Sequence, residues 1–175
     1  MSDYELKYRF RNLREITPQL LRGLGLDAIG LDIDNTLAYD STFTFVSGAR
    51  ELVQSLKEQN FPAIIVTNTF TMRASIIARR LGLPYIANAN KPRPDSVLRA
   101  ARRLKVAPGR FGMLGDLIFA DVAAANRAGA VALLVDYARP EIILRKRFSG
   151  LREREREILN NREKVADYYV AEQGT

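Results

Sequence analysis

Gly30-Leu31-Asp32-Ile33-Asp34-Asn35-Thr36-Leu37 is the stretch on which the reading of this chain turns. Apolar residues lead into it from Ala28, and two carboxylates close it. Strand alternation turns residues 32 and 34 to the same side. Charged carboxylates ending a buried strand are costly unless they are paired, hydrogen-bonded or bound to a metal. One of them can attack an electrophile while the other manages the leaving-group proton.

Working outward, short apolar runs alternate with segments of helical period, the pattern of β/α units on a largely parallel sheet. Strands are expected at 28–33, 63–66, 85–87, 111–114 and 131–135, mostly without polar alternation, as for strands buried on both faces. Helices are expected at 47–59, 71–81, 94–104 and 119–128. Ser47 is placed to cap the first, with Ala49, Leu52, Val53 and Leu56 as its apolar stripe. Gly82 and Gly129 are placed to end their helices in the left-handed conformation. Residues 4–26 read as short helices leading into the first strand. Residues 141–164 read as a solvated helix broken near Ser149 and Gly150, laced by Arg152–Glu155, Glu153–Arg156 and Arg154–Glu157 pairs. The expected architecture is an α/β, three-layer, Rossmann-like fold with a mainly parallel central sheet. In such sheets ligands gather at the carboxyl ends of the strands. At 175 residues one domain is expected, with a core at about 28–138, a basic segment 1–27 and a helical extension 139–175.

Other strand ends carry matching polar groups. Thr67 and Asn68 close the second strand just before a helix, where hydroxyl, amide and backbone N–H groups can hold phosphate oxygens. Lys91 follows the third strand in Lys91-Pro92-Arg93-Pro94. Asp116 and Asp121 lie in Gly115-Asp116-Leu117-Ile118-Phe119-Ala120-Asp121, after the fourth. Their carboxylates suit a hard cation such as Mg²⁺, which prefers oxygen ligands. Taken singly, Asp121 reads equally as a helix-entry residue matched to the dipole, and Lys91 as a surface lysine.

Composition narrows the chemistry. The chain has no His and no Cys, so a histidine base, a thiolate nucleophile, a disulfide and a Cys- or His-ligated metal are all excluded. The missing Cys suits a reducing compartment. No apolar run approaches the ~20 residues of a membrane span, and the charged first ten residues do not make a signal peptide. A cytoplasmic location is expected. The formal net charge is +7, and between Arg79 and Arg110 nine basic residues face a single acid, Asp95. Such a field attracts anions: phosphorylated metabolites, acidic lipid headgroups or nucleic acid. Gly23-x-Gly25 lacks the dinucleotide fingerprint, and there is no Walker-type phosphate loop.

In this order, Asp32-Ile33-Asp34-Asn35-Thr36, Thr67-Asn68, Lys91-Pro92 and Gly115-Asp116 to Asp121 resemble the haloacid dehalogenase (HAD) superfamily of phosphohydrolases. Asp-Ile-Asp-Asn-Thr-Leu and Asp-Val-Ala-Ala-Ala-Asn-Arg-Ala-Gly resemble its bacterial YqeG subfamily of class IIIA phosphatases. That group is similar to the phosphatidylglycerophosphate phosphatases of mitochondria and plastids. One departure is Leu117, where those relatives usually carry Gln. The resemblance implies attack by Asp32 on phosphorus and proton transfer by Asp34. It implies charge compensation by Thr67 and Lys91, with Asn68 as a lesser substrate contact. It also implies Mg²⁺ held by the Asp32 carboxylate, the Asp34 backbone carbonyl and Asp116, with Asp121 as a further ligand.

Caps in this superfamily are inserted just after the first motif or between the second and third. Both intervals here hold only one helix and one strand, so no cap domain and an open site are expected. An open site suits a phosphate carried on something large, and a lipid-headgroup phosphate at an anionic membrane surface is the favoured substrate. Two alternatives stand beside it: a soluble sugar-phosphate or nucleotide phosphatase, and a nucleic-acid or ribonucleoprotein-binding protein on a retained HAD fold. The full set of six polar residues and the lack of a recognisable RNA-binding motif with aromatic stacking residues weigh against the last.

Overall fold

The computed structural model describes residues 3–136, 153–155 and 157–159. Its centre is a six-stranded, wholly parallel sheet: β1 (Tyr8–Phe10), β2 (Ala28–Leu31), β3 (Ala63–Val66), β4 (Tyr85–Ile86), β5 (Phe111–Gly115) and β6 (Val131–Val135). The spatial order is β1-β6-β5-β2-β3-β4. From β2 the chain winds one way through β3 and β4, then crosses to β5 and winds the other way. The reversal falls between β2 and β5, where Leu31 pairs with Leu114. A crevice opens at the carboxyl ends of strands where the winding reverses, and β2 and β5 are the strands that Asp32 and Asp116 follow.

Side-chain alternation builds two cores from one sheet. Ile29, Leu31, Ile65, Leu114 and Leu133 face α1 (Pro18–Gly23), α2 (Ala49–Glu58) and α3 (Thr71–Leu81). Ala28, Ile64, Val66, Phe111, Met113 and Leu134 face the other way, onto α4 (Asp95–Arg103) and α5 (Ala123–Arg127). Helices on both faces give the expected three layers. Gly30 fits because a Cβ there would lie 2.8 Å from the Phe111 ring. Gly82 and Gly129 end their helices at φ +61° and +66°, as read from the sequence.

Four local readings change. Residues 4–26 do not hold only short helices: Tyr8–Phe10 forms an edge strand beside β6. Three residues are too few to show a period. Ser47 does not cap α2; Gly48 occupies that position at φ +87°, and the Ser47 hydroxyl accepts a hydrogen bond from Arg14 instead. The helix expected at 119–128 begins as a π-helical turn, Ile118–Val122, before α5. Residues 153–155 and 157–159 are helical as expected, yet Glu155 is buried rather than solvated. Its carboxylate accepts the Phe119 N–H at 3.2 Å, while Ile158 and Leu159 pack on the second core. The expected break at Ser149 and Gly150 lies outside the described residues.

The basic stretch does not form one face. Between parallel strands each helix must return the chain to the amino edge of the sheet. Arg79 and Arg80 therefore lie at that edge in the last turn of α3, and Arg102 and Arg103 in the last turn of α4. There they complement the helix dipoles. α3 and α4 cover opposite faces of the sheet. Arg110, just before β5, pairs with Asp27, just before β2. Lys91 is buried, Arg80 donates to the Phe43 carbonyl, and Arg93, near the carboxyl edge, is paired with Asp95.

Candidate active site

Asp32 is carried one residue past β2, its N–H still bonded to the Leu114 carbonyl at 2.9 Å. Immediately afterwards the Ile33 carbonyl accepts the N–H groups of Thr36, Leu37 and Ala38, and Asn35 adopts φ +57°. Asparagine is among the residues that tolerate this left-handed turn. The chain then makes a small hairpin, in which Tyr39 N–H bonds Thr44 O and Val46 N–H bonds Leu37 O, before entering α2. This hairpin is all that occupies the interval after the first motif.

Asp32, Asp116 and Asp121 converge, offering carboxylate oxygens within 4.8 Å of one another, and all three are buried. Gly115 lets Asp121 fold back over the end of β5, since a Cβ at Gly115 would overlap the Asp121 carboxylate. Asp121 Oδ2 accepts the Leu117 N–H at 3.2 Å. Leu117 thus serves the cluster through its backbone, which its departure from Gln does not alter.

Lys91 is the buried counter-charge. Its Nζ donates to Asp32 Oδ1 at 2.8 Å, to Asp121 Oδ1 at 2.5 Å and to the Val66 carbonyl at 2.9 Å, satisfying all three of its protons. The surface-lysine reading therefore fails. Burial pulls the ammonium pKa down, but the Asp121 and Asp32 carboxylates outweigh it and hold the pKa above its ordinary value. Burial drives Asp32 the other way, up to about 6, against the pull of Lys91 and with help from the charges of Asp121 and Asp34.

Asn68 and Thr67 frame this lysine. The Asn68 amide clamps the Lys91 backbone at both ends, accepting its N–H at 2.8 Å and donating to its carbonyl at 3.1 Å. Thr67 is fully buried at the end of β3, and its hydroxyl accepts the Thr69 N–H at 3.2 Å.

Asp34 stands apart from the three-carboxylate cluster, with its side chain 32% exposed. It accepts from Thr69 Oγ1 at 2.5 Å and forms an ion pair with Arg73, whose Nη1 lies 2.7 Å from Oδ1. Sequence reasoning missed Thr69 and Arg73. They sit four apart on the approach to α3 and in its first turns, but nothing local marks their partner, which lies 35 or more residues upstream.

Three carboxylates and one ammonium leave two negative charges in a buried crevice when all are ionised. A divalent cation matches that surplus, and an all-oxygen donor set suits Mg²⁺. Asp32, Asp116 and Asp121 fit a metal on charge, donor type and spacing.

Residues 6–129 match the family of haloacid dehalogenase-like hydrolases. Over 125 residues the chain is 30% identical to the probable phosphatase YqeG of Bacillus subtilis (strain 168), spanning 71% of this chain and 73% of that protein. A HAD family hydrolase from Deinococcus radiodurans R1, solved with bound phosphate and sodium, aligns with a TM-score of 0.52 at 18% identity. That alignment covers 61% of this chain and 79% of the other. The cobalt-bound deoxy-D-mannose-octulosonate 8-phosphate phosphatase of Haemophilus influenzae aligns at 0.52 and 11%, covering 64% and 69%. At these identities the two structures support the fold alone.

Proposed function

The chain belongs to the haloacid dehalogenase-like hydrolases as a YqeG-type phosphatase, and on that premise we propose that it hydrolyses phosphomonoesters through an aspartyl-phosphate on Asp32. The observation that carries this reading is the division of labour between two carboxylates. Asp32 is buried beside Lys91 among the clustered acids, while Asp34 is held at the partly exposed rim.

An Asp32 oxygen forms a bond to phosphorus as the bond to the leaving oxygen breaks, and Asp34 gives that oxygen its proton. Water then attacks phosphorus, Asp34 takes one of its protons, and the bond to Asp32 breaks to release inorganic phosphate. Lys91 holds Asp32 in line and offsets charge on the transferring group. Thr67, at the end of β3, contributes to the same compensation. Asn68 fixes the backbone of Lys91 and so sets where its ammonium sits. Mg²⁺ would be held by Asp32, Asp116 and Asp121, with the Asp34 carbonyl as a further donor. When bound, it neutralises charge on the phosphoryl oxygens, the kind of electrostatic help that dominates phosphoryl transfer.

The favoured substrate is phosphatidylglycerophosphate or a similar lipid-headgroup phosphate, met at the surface of a membrane. Support comes from the uncapped crevice and from two exposed apolar side chains at its edge, Phe70 at 58% and Met72 at 69%. Among the described residues no helix is long and apolar enough to cross a membrane. The test is a phosphatase screen in Mg²⁺ and in excess chelator, with lipid phosphates in micelles beside soluble sugar and nucleoside phosphates. Metal-dependent turnover that favours the lipid is the expected result. A clear preference for a soluble sugar phosphate would assign the site to small metabolites instead.

A further inference from the structure

Arg73 is a buried cation that the phosphoryl-transfer chemistry above does not use. Its guanidinium makes five contacts. Nη1 reaches Asp34 Oδ1 at 2.7 Å and Thr69 Oγ1 at 3.0 Å. Nη2 reaches the carbonyls of Thr42 at 2.8 Å and Tyr39 at 3.2 Å, and Nε reaches Thr42 again at 3.0 Å. One planar fork thus joins α3, the hairpin after the first motif and the Asp34 carboxylate.

The arrangement closes on itself. The Thr69 hydroxyl accepts from Arg73 and donates to Asp34 Oδ2. The Ser41 N–H donates to Asp34 Oδ1 at 3.3 Å, and Ser41 lies between the two residues whose carbonyls Arg73 holds. Arg73 therefore pairs with Asp34 directly and sets the place of its two hydrogen-bond donors, Thr69 and Ser41. Packing alone does not orient a carboxylate that is a third exposed. Effective proton donation needs the acid within hydrogen-bond reach of the leaving oxygen, and a misplacement of about 1 Å can cost on the order of a hundredfold.

We propose that Arg73 is a positioning residue which, with Thr69, aims Asp34 at the leaving-group oxygen and locks the 39–44 hairpin beside the crevice. This rests on the reading of Asp34 as the acid of the first step. A lysine could not do the same, because one ammonium cannot span the carboxylate and two carbonyls in a fixed plane.

Leaving-group dependence separates aim from architecture. Alkyl leaving groups need a proton as they depart, whereas p-nitrophenolate does not. The assay compares kcat/KM for glycerol 3-phosphate and for micellar phosphatidylglycerophosphate with that for p-nitrophenyl phosphate, in wild type, Asp34→Asn, Arg73→Met and Thr69→Val. Thr69→Val keeps the side-chain shape and decides the question if Arg73→Met fails to fold. The expected result is that Arg73→Met or Thr69→Val loses at least about tenfold more on the alkyl esters than on the aryl ester, in the manner of Asp34→Asn. Equal losses on all substrates beside a selective loss in Asp34→Asn would overturn the positioning role and leave the acid reading intact. Equal losses in Asp34→Asn as well would remove Asp34 as the acid, and the proposal with it.

Discussion

Lys91 Nζ lies 2.5 Å from Asp121 Oδ1, and both side chains are closed off from solvent although 30 residues separate them in the chain. The pair shows that Lys91 belongs to the carboxylate cluster as much as to any incoming phosphate. Removing one partner of a buried pair leaves an uncompensated charge, which costs about 3–5 kcal/mol. In Lys91→Met two carboxylates, Asp32 and Asp121, lose their ammonium. Denaturant unfolding in chelator is expected to show that loss, and Mg²⁺ is expected to restore part of it. A Met variant within about 1 kcal/mol of wild type without metal would show that the cluster does not depend on the lysine.

Asp32 gives a pH dependence with a definite sign. Burial lifts its folded pKa to about 6, against an unfolded value of about 3.9. Below about pH 4 both states are protonated, so the group is neutral and costs nothing. Between about pH 4 and 6 the unfolded chain releases its proton while the folded chain keeps it. Stability therefore falls as pH rises through this window, by roughly 3 kcal/mol in total. Asp32→Asn removes the penalty. Without metal it is expected to be more stable than wild type at pH 7 by up to that amount, with the gap closing near pH 4. The same variant is expected to lose at least about a thousandfold in turnover, or roughly 4 kcal/mol of barrier, because the amide is a poor nucleophile. Melting curves at the two pH values check the first part, and an Asn variant less stable at pH 7 would contradict it.

Two glycines separate stability from metal binding. A Cβ on Gly115 meets the Asp121 carboxylate, whereas a Cβ on Gly30 meets the Phe111 ring and the Met113 sulfur. Gly115→Ala is expected to raise the Mg²⁺ concentration for half-maximal activity by about tenfold, one factor for each ~1.4 kcal/mol of lost binding. Gly30→Ala is expected to cost roughly 1–3 kcal/mol of stability by overpacking, with the metal requirement unchanged. Mg²⁺ titrations of both variants decide the matter. Identical metal curves for Gly115→Ala and wild type would mean that Asp121 can move aside without loss.

Much of this was legible in the chain. The strands around Ile29, Ile64 and Met113 are short apolar runs, and Asp32, Thr67 and Asp116 each follow their strands directly, so strand ends located the site. What escaped detection depends on distance. Arg73 takes its meaning from Asp34 and from the carbonyls of Tyr39 and Thr42, and a carbonyl leaves no trace in sequence. β1 is held by its pairing with β6, more than 120 residues away. Whether the basic stretch forms one face was not legible, because adjacency in sequence is not adjacency in space. Helix polarity sends its last-turn arginines to the edge opposite Asp32, and the sheet divides them between two faces.

That division bears on how a lipid phosphate would be met. Attraction to an anionic surface is worth about 1 kcal/mol per Lys or Arg near it and fades within a Debye length. Arg79, Arg102 and Arg103 lie in the last turns of their helices, toward the amino edge of the sheet, whereas the Arg80 guanidinium reaches back to the Phe43 carbonyl of the hairpin. Phe70 and Met72, by contrast, stand exposed at the start of α3, immediately after β3 and on the same edge as Asp32. Burying a large apolar side chain fully is worth about 1.5–3 kcal/mol, so even partial insertion of both would outweigh distant charges. Phe70→Ser with Met72→Ser is expected to slow hydrolysis of phosphatidylglycerophosphate in vesicles by about tenfold or more. Turnover of soluble glycerol 3-phosphate should stay as in wild type. Replacing Arg79, Arg102 and Arg103 by Gln is expected to leave the vesicle rate within about twofold. The reverse outcome, a rate sensitive to the arginines and to salt but indifferent to residues 70 and 72, would mean that the protein approaches the membrane by its other edge and draws the substrate out.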